Sequence, residues 1–305
     1  MIWLVIGLFY RKTKMNRDEL IAKYNAGQRD FKYANLAEAD FTGVNLAGVN
    51  LEGANLEGAN LKGAKLEGTV LRKANLKKAV LRETYLKRAI LEGADLSEAN
   101  LEGADLSDAN LEGANLEEAV LRETDFTGAD LSGAYLTIAN LEEAVLRETD
   151  FTGAVLIEAN LRRADLSGAN LTGADLSEAY LYKADLSGAN LTGANLSGAN
   201  LERTDLREAN LEGANLTGAK LEGADLSGAN LKYTIGNDKE IKNLRLESYT
   251  ITKYKNILAI ECQQFTIEEW FSFSDDEIEV MEIKVLQCWN KYKNIIKQWC
   301  QIVGD

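Results

Sequence analysis

The chain has 305 residues, 46% of them apolar, and a formal net charge of −14, with 34 Lys and Arg against 48 Asp and Glu. That balance excludes a conventional nucleic-acid binder, which needs a basic footprint, while leaving room for a protein that imitates a nucleic acid. There is no His, which removes the usual general base and the commonest metal ligand, and no Pro, so nearly every residue can donate a backbone N–H.

The first segment, residues 1–14, carries an apolar run from Ile2 to Phe9 followed by Arg11, Lys12 and Lys14. The run is too short to span a bilayer, its charges lie after it rather than before, and no small-residue cleavage site comes next, so it reads neither as a span nor as a signal peptide. Two readings remain: a start extension without a structural role, and a weak interfacial anchor. In residues 15–33, Asn16 with Glu19 three positions on is a capping-box spacing. Leu20, Ile21 and Tyr24 supply an apolar stripe, and Gly27 can end the helix. Such a helix is placed to cover the open first coil of a solenoid.

Residues 34–233 put Leu or Phe at every number ending in 1 or 6, from Leu36 to Leu231, which makes forty blocks in one register. Ala, or occasionally Val or Thr, stands two residues earlier, as in Ala94-Asp95-Leu96-Ser97-Glu98. Neither a helix nor a strand has a period of five. The period is satisfied if each block forms one side of a square coil, so that four blocks return the chain to its starting face. Forty blocks then make about ten coils and a rod on the order of 48 Å long at parallel-strand spacing. Leu fills the axis, Ala sits at the crowded corner, and Asn, Asp, Ser, Thr, Glu and Gly face outward.

The blocks A-N-L-E-G, A-D-L-S-G and A-N-L-T-G resemble those of the pentapeptide-repeat family. That resemblance implies the handedness and section of the coil, a right-handed quadrilateral β-helix. The Asp18-Glu19-Leu20 helix leading into Arg29-Asp30-Phe31 is similar to the start of many bacterial and cyanobacterial members. The expected fold is therefore an all-β solenoid with an N-terminal capping helix and a small α+β C-terminal module. Family resemblance supplies no biochemical activity.

Summed by face, the outward charges are −7 for blocks centred on 36, 56 and 76, −5 for 46, 66 and 86, −3 for 51, 71 and 91, and zero for 41, 61 and 81. Along the axis, nine bases cluster as Lys62, Lys65, Arg72, Lys73, Lys77, Lys78, Arg82, Lys87 and Arg88. Nine acids come next with no base among them, Glu92, Asp95, Glu98, Glu102, Asp105, Asp108, Glu112, Glu117 and Glu118. These two collars are either solvated surface or an electrostatic docking site. Outward apolar residues form a second departure: Tyr135 and Ile138 lie one coil from Val155 and Ile157, and Tyr180 and Tyr182 make another pair. The segment AVLRETDFTGA occurs at Ala119–Ala129 and again at Ala144–Ala154, an offset of 25 residues that moves it by one face and indicates growth by duplicated blocks.

Residues 234–305 break the register at Thr234-Ile235-Gly236-Asn237-Asp238. Ile241–Leu246, Tyr249–Tyr254 and Ile257–Cys262 read as strands, and the spacings Thr266/Glu269 and Ser274/Glu277 open two helices. The second helix should be long, with Ile278, Met281, Val285, Trp289, Tyr292, Ile296, Trp299 and Val303 on one side. The module reads as a cap for the last coil, with a dimerisation element as the alternative. Cys262, Cys288 and Cys300 have no paired spacing and read as reduced thiols of a cytoplasmic protein.

No chemistry stands out. The carboxylates project into water, no His activates a Ser or Thr, and no phosphate loop is present, so no catalytic residue, cofactor or metal is expected. The reading is a non-enzymatic scaffold that binds a protein partner through its outer faces, with no direct nucleic-acid or membrane contact. The alternatives are an acidic DNA mimic, since some family members resemble duplex DNA and bind type II topoisomerases, and a purely structural solenoid. Reversing Lys73, Lys77 and Lys78 is expected to weaken partner capture without lowering thermal stability.

Overall fold

The computed structural model describes residues 14–237 without a break and, beyond them, 241–246, 249–255, 257–260, 263–274, 277–278, 281 and 283–303. The readings made for Ile2–Phe9 and Cys262 lie outside these residues, as do the side chains of Trp299 and Val303.

A five-residue block folds into one side of a coil because of where its five N–H groups go. In the block around Leu56, Asn55 donates to the Ala34 carbonyl at 2.9 Å, Leu56 to Asn75 at 2.7 Å and Gly58 to Lys77 at 2.9 Å, each in a neighbouring coil. Ala59 donates back to the Leu56 carbonyl at 3.0 Å and closes the corner. The remaining N–H, that of Glu57, reaches the side-chain Oδ1 of Asn55 at 3.1 Å. Asn or Asp before the Leu is thus the acceptor that completes the set, a local turn these side chains favour. Parallel bridges join residue i to i+20 from Asp30↔Asn50 to Asn215↔Ile235, so four blocks make one coil and the pairing runs one block past the 34–233 span at its start and one bridge past it at its end.

The inward Leu residues, and the inward Ala residues from Ala39 onward, are buried in one continuous core. Where Thr replaces Ala the buried hydroxyl donates to the carbonyl of the large apolar residue 23 positions earlier, as Thr124 does to Leu101 and Thr149 to Phe126, both at 2.9 Å. Asn also links coils through its amide. Asn170 donates to Asp150, Asn190 to Asn170, Asn210 to Asn190 and Asn230 to Asn210, a ladder on one face. Asp can accept in such a ladder but cannot donate. Asn190→Asp should therefore keep the turn, face the Thr172 hydroxyl with an acceptor in place of the 2.9 Å donor, and lower stability by about 0.5–1.5 kcal/mol in chemical denaturation.

At the N-terminal end the chain itself substitutes for a missing coil. Met15 donates to the Asn35 carbonyl at 2.8 Å, and helix α1, Arg17–Asn25, buries Leu20 against the first coil with Ile21 and Tyr24 beside it. Asn16 caps α1 by accepting the Glu19 N–H at 2.9 Å, while the Glu19 carboxylate pairs with Lys23 at 2.8 Å, one turn along the helix.

The other end is closed by an antiparallel sheet of four strands in the order β1 (Ile241–Leu246), β2 (Tyr249–Tyr254), β3 (Ile257–Ile260) and β4 (Gln263–Thr266). Strand β4 was not expected from the sequence; only two residues separate it from β3. One sheet face meets the last coil. Tyr254 donates its hydroxyl to the Ala224 carbonyl at 3.2 Å, and Asn237 donates to Ala219 at 3.0 Å. Gln264 does both halves of a peptide's work, donating to Ala229 at 2.7 Å and accepting from the Leu231 N–H at 3.3 Å. These are carbonyls that a further coil would have paired.

The opposite sheet face carries Ile251, Leu258 and Ile260 into a second core with helix α2, Ile267–Ser272, and helix α3, Ile283–Val303. Both halves of the capping box form at Thr266/Glu269. They form at Ser274/Glu277 as well, but the long helix starts later than expected, at Ile283. Trp270 and Trp289 stack with ring centroids 5.0 Å apart. Val285, Cys288, Trp289, Tyr292 and Ile296 of α3 pack into this core, while Ile295 is exposed.

Candidate interaction surface

The two charged collars face each other across one coil, and the 20-residue coil length decides what they do. Arg72 pairs with Glu92 at 2.8 Å, Arg82 with Glu102 at 3.2 Å, Lys77 and Lys78 both with Glu98 at 3.2 and 3.4 Å, and Lys87 and Arg88 both with Asp108 at 3.7 and 3.6 Å. Lys62 reaches Glu83 within the basic collar at 3.5 Å. Among the nine bases only Lys65 and Lys73 have no carboxylate partner among the described residues. Much of the collar charge is therefore neutralised within the molecule by exposed pairs, each individually weak. Reversing Lys77 and Lys78 would set acids against Glu98, so the expected absence of a stability change does not hold for those two positions.

The hydrogen bond and charge of Lys77 and Lys78 hold the Glu98 carboxyl below the ordinary glutamate range, Lys77 being the larger cause. A group whose folded value is lowered contributes stability at neutral pH and loses that contribution as pH falls through the folded value. The Glu98 carboxyl carbon, followed by NMR, should titrate below the usual glutamate midpoint, and Lys77→Ala should move it upward.

The apolar outward residues do come together. Tyr135 and Val155 are bridge partners in adjacent coils, and the Ile138 N–H donates to the Ile157 carbonyl at 2.9 Å. Tyr135 is 49% exposed and Ile138 54%. Each Val before a Leu at 70, 80, 120 and 145 is followed just after that Leu by an Arg (Arg72, Arg82, Arg122, Arg147), and Ile90 by Glu92; after Tyr135 and Val155 stand Thr137 and Ile157.

Position 138 carries a cost that the sequence pattern alone did not expose. The second residue after each Leu or Phe is left-handed in every block from Tyr33 to Tyr233. Gly133 and Gly153 sit there at φ +62° and +64°, whereas Ile138 sits there at +60°. A side chain in this region costs on the order of 1–2 kcal/mol, and a β-branched one is a genuine outlier. The signal was present in the repeated occurrence of Gly at this place in the block.

On the next face, Tyr180 and Tyr182 lie among cations. The Arg162 guanidinium is 5.5 Å from the Tyr180 ring, Lys183 is 5.4 Å from the Tyr182 ring, and Arg203 donates to the Tyr182 hydroxyl at 3.4 Å. Arg162, Arg163 and Tyr182 line an open hollow of about 420 Å³ with Glu142, Asn200 and Glu202. The hollow is open and polar. No helix among the described residues is long and apolar enough to cross a membrane.

Comparison with known proteins places this geometry. The family model described as pentapeptide repeats matches in eight copies between residues 34 and 232. The crystal structure of HetL, a pentapeptide-repeat protein involved in heterocyst differentiation regulation from the cyanobacterium Nostoc, is 38% identical; the match covers 73% of this chain and 98% of that one with a TM-score of 0.55. A second Nostoc pentapeptide-repeat protein, alr5209, is 39% identical over 36% of this chain and 84% of its own, with a TM-score of 0.23. QnrB1, a plasmid-mediated fluoroquinolone resistance protein, is 22% identical over 63% and 90% of the two chains, with a TM-score of 0.36. No curated protein sequence matches the chain.

Proposed function

The chain belongs to the pentapeptide-repeat family, whose members fold as right-handed quadrilateral β-helices, and on that premise we propose that it is a non-enzymatic, cytoplasmic scaffold of about ten coils that binds a protein partner through its outer faces. The observation that carries this reading is the division of labour within the block. The inward residues and backbone groups are consumed by the coil, and the outward departures clustered at Tyr135, Ile138, Val155 and Ile157 add nothing to it. An exposed apolar cluster rimmed by polar residues is how binding surfaces are built. The terminal module acts as a cap, and its helix is not required to dimerise.

Affinity capture from extracts of the native host tests the scaffold. A protein held stoichiometrically is the expected result, and capture of nothing beyond background would contradict it. Lys73, which like Lys65 has no carboxylate partner among the described residues, is a collar residue whose reversal should change capture at no cost to stability. A second reading, mimicry of DNA toward a type II topoisomerase, is favoured by one observation: from Asp95 to Gly218 the most acidic face bears no Lys or Arg. A gyrase supercoiling assay decides it, since a DNA mimic must act at micromolar concentration and a scaffold leaves supercoiling unchanged.

A further inference from the structure

We propose that the patch formed by Tyr135, Ile138, Val155 and Ile157 is the docking site for a protein segment whose apolar side chains are flanked by Lys or Arg. The inference rests on the scaffold reading and adds the chemistry of the partner.

Three features of the patch converge. It is apolar and exposed, with Tyr135 and Ile138 each about half accessible in the middle of the rod. It is maintained against local preference, because Ile138 is the one β-branched residue among the left-handed positions of the described blocks, which otherwise hold Gly, as at Gly133, or unbranched side chains, as at Glu143 and Glu158. Strain that a Gly would relieve points to a retained function. Along its own face the charge is of one sign. On the same face Glu117 and Glu118 lie in the coil before, and Glu158, Asp175 and Glu178 lie in and after the patch, with no base between Asp95 and Gly218. None of Glu117, Glu118, Glu158 and Glu178 has an ion-pair partner among the described residues.

The charge pattern selects the occupant. Two copies placed patch to patch would bring acids against acids in either orientation, Glu117 and Glu118 against Asp175 and Glu178 or against themselves, which opposes self-pairing. An acidic or nucleic-acid ligand meets the same repulsion. A segment with alternating apolar and basic residues can seat the former on the patch and place the latter over the flanking carboxylates, and an extended segment laid along the coil axis crosses successive coils at about 4.8 Å intervals.

The test uses the full chain and a fluorescein-labelled twelve-residue peptide of alternating Lys and Leu, with Glu/Leu and Lys/Ser peptides as controls, read by fluorescence anisotropy. Micromolar binding of the Lys/Leu peptide alone is expected, weakened by added salt and reduced at least tenfold by Ile138→Gly and by Tyr135→Asn. Ile138→Gly should raise Tm at the same time, which separates lost contact from lost folding. Equal binding by Ile138→Gly, or equal binding of the Glu/Leu peptide, would overturn the proposal. So would sedimentation showing a dimer of the native chain that Ile138→Gly dissolves. If the Lys/Leu peptide fails while a host protein is still captured, the partner chemistry is wrong and the scaffold reading stands.

Discussion

Phe126→Ala should destabilise the protein by about 3–5 kcal/mol in denaturant unfolding, far more than any outward substitution. Phe126 is fully buried, and its carbonyl takes the Thr149 hydroxyl at 2.9 Å. The neighbours that would have to move to fill the void are themselves fixed, since Leu106, Leu121, Leu131 and Leu146 each donate to a carbonyl of the next coil at 2.7 Å. A stack in which each coil touches only its neighbours has no remote contacts to compensate. The loss should therefore appear as a weak point in the middle of the rod, seen as faster amide exchange in the coils around Phe126 than at either end.

Removing residues 234–305 should convert a monodisperse protein into one that associates at micromolar concentration. The deletion uncovers Leu216, Leu221, Leu226 and Leu231 and leaves the carbonyls of Ala219, Ala224 and Ala229 without Asn237, Tyr254 and Gln264. An apolar end with unpaired backbone groups is a template for stacking against another chain. Light scattering checks it, and the double variant Tyr254→Phe, Gln264→Ala supplies the graded version. Leaving two buried carbonyls and one N–H unpaired should lower stability by about 2–6 kcal/mol, at roughly 1–3 kcal/mol for each of the two side chains removed. A truncated chain that stayed monomeric and equally stable would show that the module is not a cap.

The rod was legible because its signal has no exceptions: forty inward positions are Leu or Phe, and a period of five admits few structures. The cap was legible only in outline. Nothing in the local sequence of Gln263-Gln264-Phe265-Thr266 says strand, and the role of Gln264 exists only once the sheet lies on the last coil. The collars were visible as charge runs, but their mutual pairing depends on the coil length. Arg72 and Glu92, or Arg82 and Glu102, are distant in sequence and adjacent after 20 residues. The strain at Ile138 needed the backbone angle of its position, although the Gly residues recurring there already marked it.

The central claim is that the inward repeat specifies the rod and the outward departures specify the function. It is tested most directly by resetting the patch to the repeat's own average, with Tyr135→Asn, Ile138→Gly, Val155→Asn and Ile157→Ser in one full-length protein, and measuring thermal unfolding and partner capture from host extract on the same preparation. A Tm equal to or above that of the native protein, together with loss of the captured partner, is the predicted result. Capture undiminished in a protein that still folds would contradict it.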